Sequence, residues 1–180
     1  MNNDITHVVN KNNQWNNIYL DMAHKIADFS TCCKLKVGAV LVKDNYPISI
    51  GYNGVPAKML HCNEYYYNKY NMYFREKYLT FETYLESEDF KKEHSTWSPY
   101  NEIHAEVNCI LQACKRGIST ANSILYITHS PCIYCAPVII SAGIISVYIG
   151  ENRENKVDDG LSFLKLNKIS IVNLKRSAKI

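Results

Sequence analysis

NEIHAEVNCILQACKRGISTANSILYITHSPCIYCAPVIISAGIISVYIG, residues 101–150, decides the fold. Within it Ile103, Val107, Ile110, Leu111 and Cys114 recur at helical spacing, and Gly117 stands where a left-handed cap would end a helix over 101–116. Residues 124–128 then read as a strand. Cys132, Ala136, Ile139, Ile140 and Gly143 form a second helical stripe, and residues 144–149 another strand. Strands alternating with helices over short connections predict an α/β domain whose sheet is covered on both faces.

Working outward, a helix near 158–166 and a last strand over 169–174 continue the alternation. Upstream, Trp15, Ile18, Tyr19, Met22 and Ile26 line one face of a helix over 14–30. The apolar run Val37-Gly38-Ala39-Val40-Leu41-Val42, the turn Lys43-Asp44-Asn45-Tyr46-Pro47 and Ile48-Ser49-Ile50 read as a strand, a hairpin turn and a second strand. The pattern weakens over 57–98, where a Tyr-rich patch (Tyr65, Tyr66, Tyr67) precedes a charged run. This stretch is expected to be a partly helical insertion in a single domain spanning 1–180.

Composition narrows the function classes. The 180 residues are 47% hydrophobic and 21% charged, which suits one globular domain with its own core. A net charge of +3 is too small for a dedicated nucleic-acid binder and compatible with a small anionic substrate. No basic n-region with an apolar h-region opens the chain, and the longest apolar stretch, 136–150, falls short of the roughly 18 to 20 residues that span a bilayer. The expectation is a cytoplasmic protein without a membrane partner. Seven cysteines, an odd set, then favour metal or catalytic use over a disulfide framework.

Two segments carry the chemistry: His104-Ala105-Glu106 and Pro131-Cys132-Ile133-Tyr134-Cys135, each at a predicted helix start. Their combination resembles the signature of zinc-dependent deaminases. His104, Cys132 and Cys135 would supply three ligands of a tetrahedral zinc and leave the fourth position open, as catalysis needs. Two cysteines three apart in a first helical turn share a face, where the helix dipole favours thiolate. Glu106 is then no ligand but a proton shuttle, accepting a proton from water, protonating the ring nitrogen N3 and later the amine leaving C4. A thiol-disulfide pair would explain Cys-x-x-Cys alone, but neither the histidine nor the glutamate.

The segment from Glu93-His94-Ser95-Thr96-Trp97-Ser98-Pro99-Tyr100 through Asn101-Glu102-Ile103-His104-Ala105-Glu106-Val107-Asn108 resembles the active-site region of phage-type deoxycytidylate (dCMP) deaminases. So do Lys36-Val37-Gly38-Ala39-Val40 and Gly51-Tyr52-Asn53-Gly54-Val55-Pro56, so that the likeness covers roughly residues 15–64 and 93–150 in order. The resemblance implies a cytidine deaminase-like three-layer α/β/α sandwich with a mixed sheet of about five strands, and hydrolytic deamination of dCMP to dUMP, which feeds thymidylate synthesis. It further implies a homohexamer activated by dCTP and inhibited by dTTP, with Mg2+ a further candidate cofactor. By the same likeness Val37, Ala39 and Asn53 contact substrate, and Asn53 with Gly54 lies near an effector or phosphate; core packing explains Val37 and Ala39 equally well. Phage-type members also carry a second zinc, and the matching residues here are Cys32, Cys62, His94 and Glu102, with Cys33 able to replace Cys32. Cys109 and Cys114 read as small core residues. The competing readings are a deaminase of another cytosine nucleotide or of a nucleic-acid base, and a non-catalytic zinc-bound interaction module.

Overall fold

The computed structural model describes residues 3–151 and 160–174, with the side chains of the first helix described from Gln14 onward. Five strands form one sheet in the order β2-β1-β3-β4-β5: β1 (Gly38–Lys43), β2 (Tyr46–Tyr52), β3 (Ile124–His129), β4 (Ser146–Glu151) and β5 (Ser170–Asn173). β1 pairs antiparallel with both β2 and β3, whereas β3, β4 and β5 run parallel, so the sheet is mixed. The β1–β2 hairpin turns on Asp44 and Asn45, with φ of 51° and 64°, the left-handed conformation that two-residue hairpins need and that Asp and Asn tolerate.

One helix lies on one face. α1 (Asn3–Ala27) contributes Tyr19 and Ala23, which pack with Val40, Val42 and Tyr126. Gly38 permits this approach, since a Cβ there would collide with the backbone of Ala23 and Ala27. On the other face lie α5 (Ala105–Lys115), α6 (Cys135–Ser141) and α7 (Gly160–Leu166), which with Ala39, Leu41, Leu125, Ile127, Val147 and Ile149 form the main core. The result is a three-layer α/β/α sandwich.

Between β2 and α5 come α2 (Cys62–Lys69), a π-helical turn (Tyr70–Phe74), α3 (Phe81–Glu86) and α4 (Glu88–Asn101). This segment, more helical than its sequence suggests, builds a second small core from Tyr66, Tyr70, Tyr84 and Phe90 together with Cys32 and Cys62. Tyr66 is fully buried, set edge-on to Phe90, while Tyr65 stacks on Trp97 at 4.9 Å, so these aromatic residues are packing elements.

Several expectations need correction. The first helix begins at Asn3 rather than near residue 14, and its buried stripe runs through Tyr19, Leu20, Ala23 and Ala27, leaving Trp15 and Ile18 exposed. The helix expected over 101–116 begins at Ala105, because α4 runs to Asn101 and the chain is extended at Glu102 and His104. Its buried residues are Ala105, Glu106, Cys109 and Ala113, while Leu111 and Cys114 are exposed, so of the two cysteines on this helix Cys109 alone is a core residue. α6 starts at Cys135, later than its stripe implied. Of the helix expected near 158–166, positions 158 and 159 lie outside the described residues.

Candidate active site and metal centres

His104 and Glu106 are placed by the start of α5. His104 is the N-cap residue, with φ −69° and ψ 155°, so its ring swings clear of the helix while Glu106 sits in the first turn. Cys132 and Cys135 lie on the turn that leads from β3 into α6, closed by the Cys135 and Ala136 amides donating to the Cys132 carbonyl. Gly160, at the start of α7, packs against this turn so closely that a Cβ would strike the carbonyl oxygens of Pro131 and Cys132.

These elements bring His104 Nδ1 to 3.4 Å from Cys132 Sγ and 3.3 Å from Cys135 Sγ. A tetrahedral zinc with Zn–S near 2.3 Å and Zn–N near 2.0 Å sets an S···N edge of about 3.5 Å. The three side chains therefore fit zinc as placed, with one corner left over. Hydrogen bonding from Cys135 and His104 holds the Cys132 thiol well below its ordinary value, whereas Cys132 and burial push Cys135 up.

Glu106 is buried beside this group. Burial raises its carboxyl above the ordinary carboxylate value, opposed by its backbone hydrogen bond and by His104. A carboxyl displaced upward lies closer to the range in which a group takes and returns protons at neutral pH.

The second group, Cys32, Cys62, His94 and Glu102, also comes together. Cys32 Sγ lies 3.4 Å from His94 Nε2 and 3.5 Å from Glu102 Oε2, and the latter two atoms are 3.7 Å apart. Glu102 Oε2 also accepts from Ser98 Oγ at 2.7 Å, while Oε1 is buried with no partner. A buried carboxylate is costly without a counter-charge, and a cation held among these four side chains, against Oε2, would supply one. Cys33 stands next to the group, its amide donating to Cys62 Sγ at 3.5 Å, but Cys32 is the residue whose sulfur joins His94 and Glu102.

Asn53 faces inward. Its Oδ1 accepts from the Val37 amide at 2.8 Å and its Nδ2 donates to the Leu35 carbonyl at 2.9 Å, so it shapes the loop that leads into β1. Ala39 is fully buried in the main core and Val37 nearly so. At Gly54 a Cβ would meet nothing within 4 Å. His129, without an evident partner in the sequence, pairs with Glu151 at 3.1 Å and with Thr128 Oγ1 at 2.9 Å. Thr128 Oγ1 in turn accepts from the Gly38 amide. Sequence reasoning did not single out Ser30, Ser98 or Thr128: Ser30 and Thr128 each bond a residue distant in sequence, Asn53 and Gly38, whereas Ser98 bonds Glu102 one helical turn away.

Comparison with known proteins agrees with this geometry. Residues 13–151 match the family model described as the cytidine and deoxycytidylate deaminase zinc-binding region. The deoxycytidylate deaminase of Enterobacteria phage T2 is 35% identical over 151 residues, covering 76% of this chain and 80% of that protein. ComE operon protein 2 of Bacillus subtilis is 37% identical over 138 residues, covering 77% of this chain and 60% of that protein. The fold is similar to that of the dCMP deaminase of cyanophage S-TIM5 in complex with dCMP and dUMP, with a TM-score of 0.65 and 24% identity over 97% of this chain and 99% of that one. From the match over most of its length, as from the residues it brings together, the chain belongs to the cytidine and deoxycytidylate deaminase family.

Proposed function

We propose that the protein hydrolyses dCMP to dUMP and ammonia, supplying dUMP for thymidylate synthesis. The observation that carries this reading is the buried Glu106 beside His104, Cys132 and Cys135. The names of the phage relatives support the choice of substrate.

His104, Cys132 and Cys135 hold the catalytic zinc, which when bound supplies the Lewis acidity that makes water nucleophilic near neutral pH. Glu106 accepts the proton of the attacking water and passes it to N3 of the cytosine ring. It then takes the proton of the hydroxyl now on C4 and delivers it to the amine, so that the C4 carbonyl forms as the C–N bond breaks and ammonia departs. Val37 and Asn53 shape the wall against which the nucleotide is held, whereas Ala39, expected to contact substrate, is fully buried in the main core and supports that wall from behind. Asn53 acts there through the Leu35–Val37 backbone it fixes. Cys32, Cys62, His94 and Glu102 hold a second, structural zinc with all four positions filled by protein.

The same reading includes one deaminase domain with an insertion at about 57–98, and a homohexamer in the cytoplasm. Activation by dCTP and inhibition by dTTP, with Mg2+ accompanying the triphosphates, complete it, and the open space at Gly54 suits an effector. Among the described residues no helix is long and apolar enough to cross a membrane. The decisive experiment measures product formation by zinc-loaded protein on dCMP, with and without dCTP, beside CMP, dCTP and single-stranded DNA. Sigmoidal dUMP production made hyperbolic by dCTP is expected. Deamination of DNA or of another nucleotide in its place would overturn the substrate while keeping the chemistry.

A further inference from the structure

Glu102 and His104 belong to different side-chain groups, yet a single residue separates them. α4 ends at Asn101 and α5 begins at Ala105, so Glu102-Ile103-His104 is a short link between two helices, extended at Glu102 (φ −108°, ψ 137°) and again at His104. Its middle residue is fastened. The Ile103 amide donates to the Gly54 carbonyl at 2.8 Å, and the Gly54 amide donates to the Ile103 carbonyl at 3.1 Å.

The opposite side of the second group closes on the same point. The Cys32 amide donates to Ser30 Oγ at 3.2 Å, and Ser30 Oγ donates to the Asn53 carbonyl at 2.8 Å. Asn53 is the neighbour of Gly54, so Cys32 reaches Ile103 through Ser30 and Asn53, while Glu102 reaches it directly. Both routes end one residue from His104.

We infer that the Cys32, Cys62, His94 and Glu102 group is a brace for His104: a cation held there fixes the Glu102–His104 link and so raises retention of metal by His104, Cys132 and Cys135. This rests on the reading that both groups bind zinc. The burial of the Glu102 carboxylate gives the physical reason: its Oε2 faces Cys32 Sγ and His94 Nε2, and its Oε1 is buried with no partner. With a cation present the carboxylate is satisfied and Glu102 stays in place; without one, the favourable course for that carboxylate is to move toward water, and the link moves with it. Glu102 is thus a positioning residue for the histidine, and loss of such outer support typically costs about 10- to 100-fold in metal affinity.

The test uses the full zinc-loaded chain, with zinc content measured by mass spectrometry and release followed with a chromophoric chelator. The wild-type protein should carry an ion in each group and release them in separate phases, and the phase absent from Cys135→Ala belongs to the His104 group. Glu102→Ala should lose the brace ion and release the remaining ion about tenfold faster. Ile103→Pro keeps every candidate ligand but removes the amide that donates to Gly54, and the dihedrals of Glu102 already suit a residue that precedes proline. It should hold both ions and release the His104 ion faster, with the brace phase unchanged; general loss of stability would instead speed both phases and overturn the inference. Wild-type release from the His104 group in every variant that folds would overturn the brace alone. A wild-type chain holding zinc only at His104, Cys132 and Cys135 would overturn the second metal centre, and the brace with it.

Discussion

Glu106 combines two properties that rarely meet on a structural carboxylate: it is buried, and it lies beside three side chains placed to hold a metal without belonging to their set. Burial is the largest influence on its carboxyl and moves it toward the range where it can exchange protons at neutral pH. Glu106→Gln keeps the shape and the zinc but removes the proton carrier. Turnover of dCMP should fall by roughly a hundred- to ten-thousandfold or more, with zinc content unchanged. Steady-state assay together with metal analysis checks both halves; turnover that survives would remove Glu106 from the mechanism.

At the scale of elements, the contact between β2 and α5 places Glu106. Gly51 lets them touch, because a Cβ there would strike the Ala105 carbonyl and the backbone of Cys109. Ser49 strengthens the contact by donating to the Cys109 carbonyl at 2.7 Å. Gly51→Ala should force α5 away from the sheet at a cost of about 1–3 kcal/mol or more, lowering both the unfolding midpoint in urea and kcat. In the insertion, Asp89 on α4 accepts from Lys77 Nζ at 2.6 Å and from Tyr78 OH at 2.8 Å, and these bonds, Lys77 foremost, hold its carboxyl below the ordinary 3.8. A depressed carboxylate stabilises the fold above its unfolded pKa and ceases to do so as pH falls through its folded pKa. Asp89→Asn should therefore be less stable than wild type at pH 7 and converge with it in acid, as paired urea titrations would reveal.

Across the whole molecule, the main core between sheet and helices is joined to an insertion core of different character. The main core is aliphatic and spans sheet and helices, while the insertion packs aromatic residues around Cys32, Cys62 and His94. With the proposed second zinc at its edge, the smaller core should depend more on metal, since removal of that cation would leave the buried Glu102 carboxylate without a counter-charge. Chelation should strip hydrogen-exchange protection from residues 62–101 first and leave β3 and β4 protected. Uniform loss across the chain would show instead that the two cores unfold as one.

The sequence by itself determined the alternation of strands and helices after residue 101, the hairpin and the His104, Glu106, Cys132, Cys135 constellation. Each rests on short-range signals: helical or strand periodicity, turn residues, and ligands placed at helix starts. Which face of a helix is buried was not legible in that way. On α5 the large apolar residues suggested one stripe, yet the sheet approaches so closely that small residues had to line the contact, so Ala105, Cys109 and Ala113 went inside and Leu111 stayed out. α1 shows the same, with Ala23 against Gly38 and Trp15 exposed. Tertiary structure alone decided the rest: it turned the Asn53 amide to the Leu35 and Val37 backbone, chose Cys32 over Cys33, and set Ile103 against Gly54. These depend on distances between segments up to 70 residues apart in the chain, which no local pattern encodes.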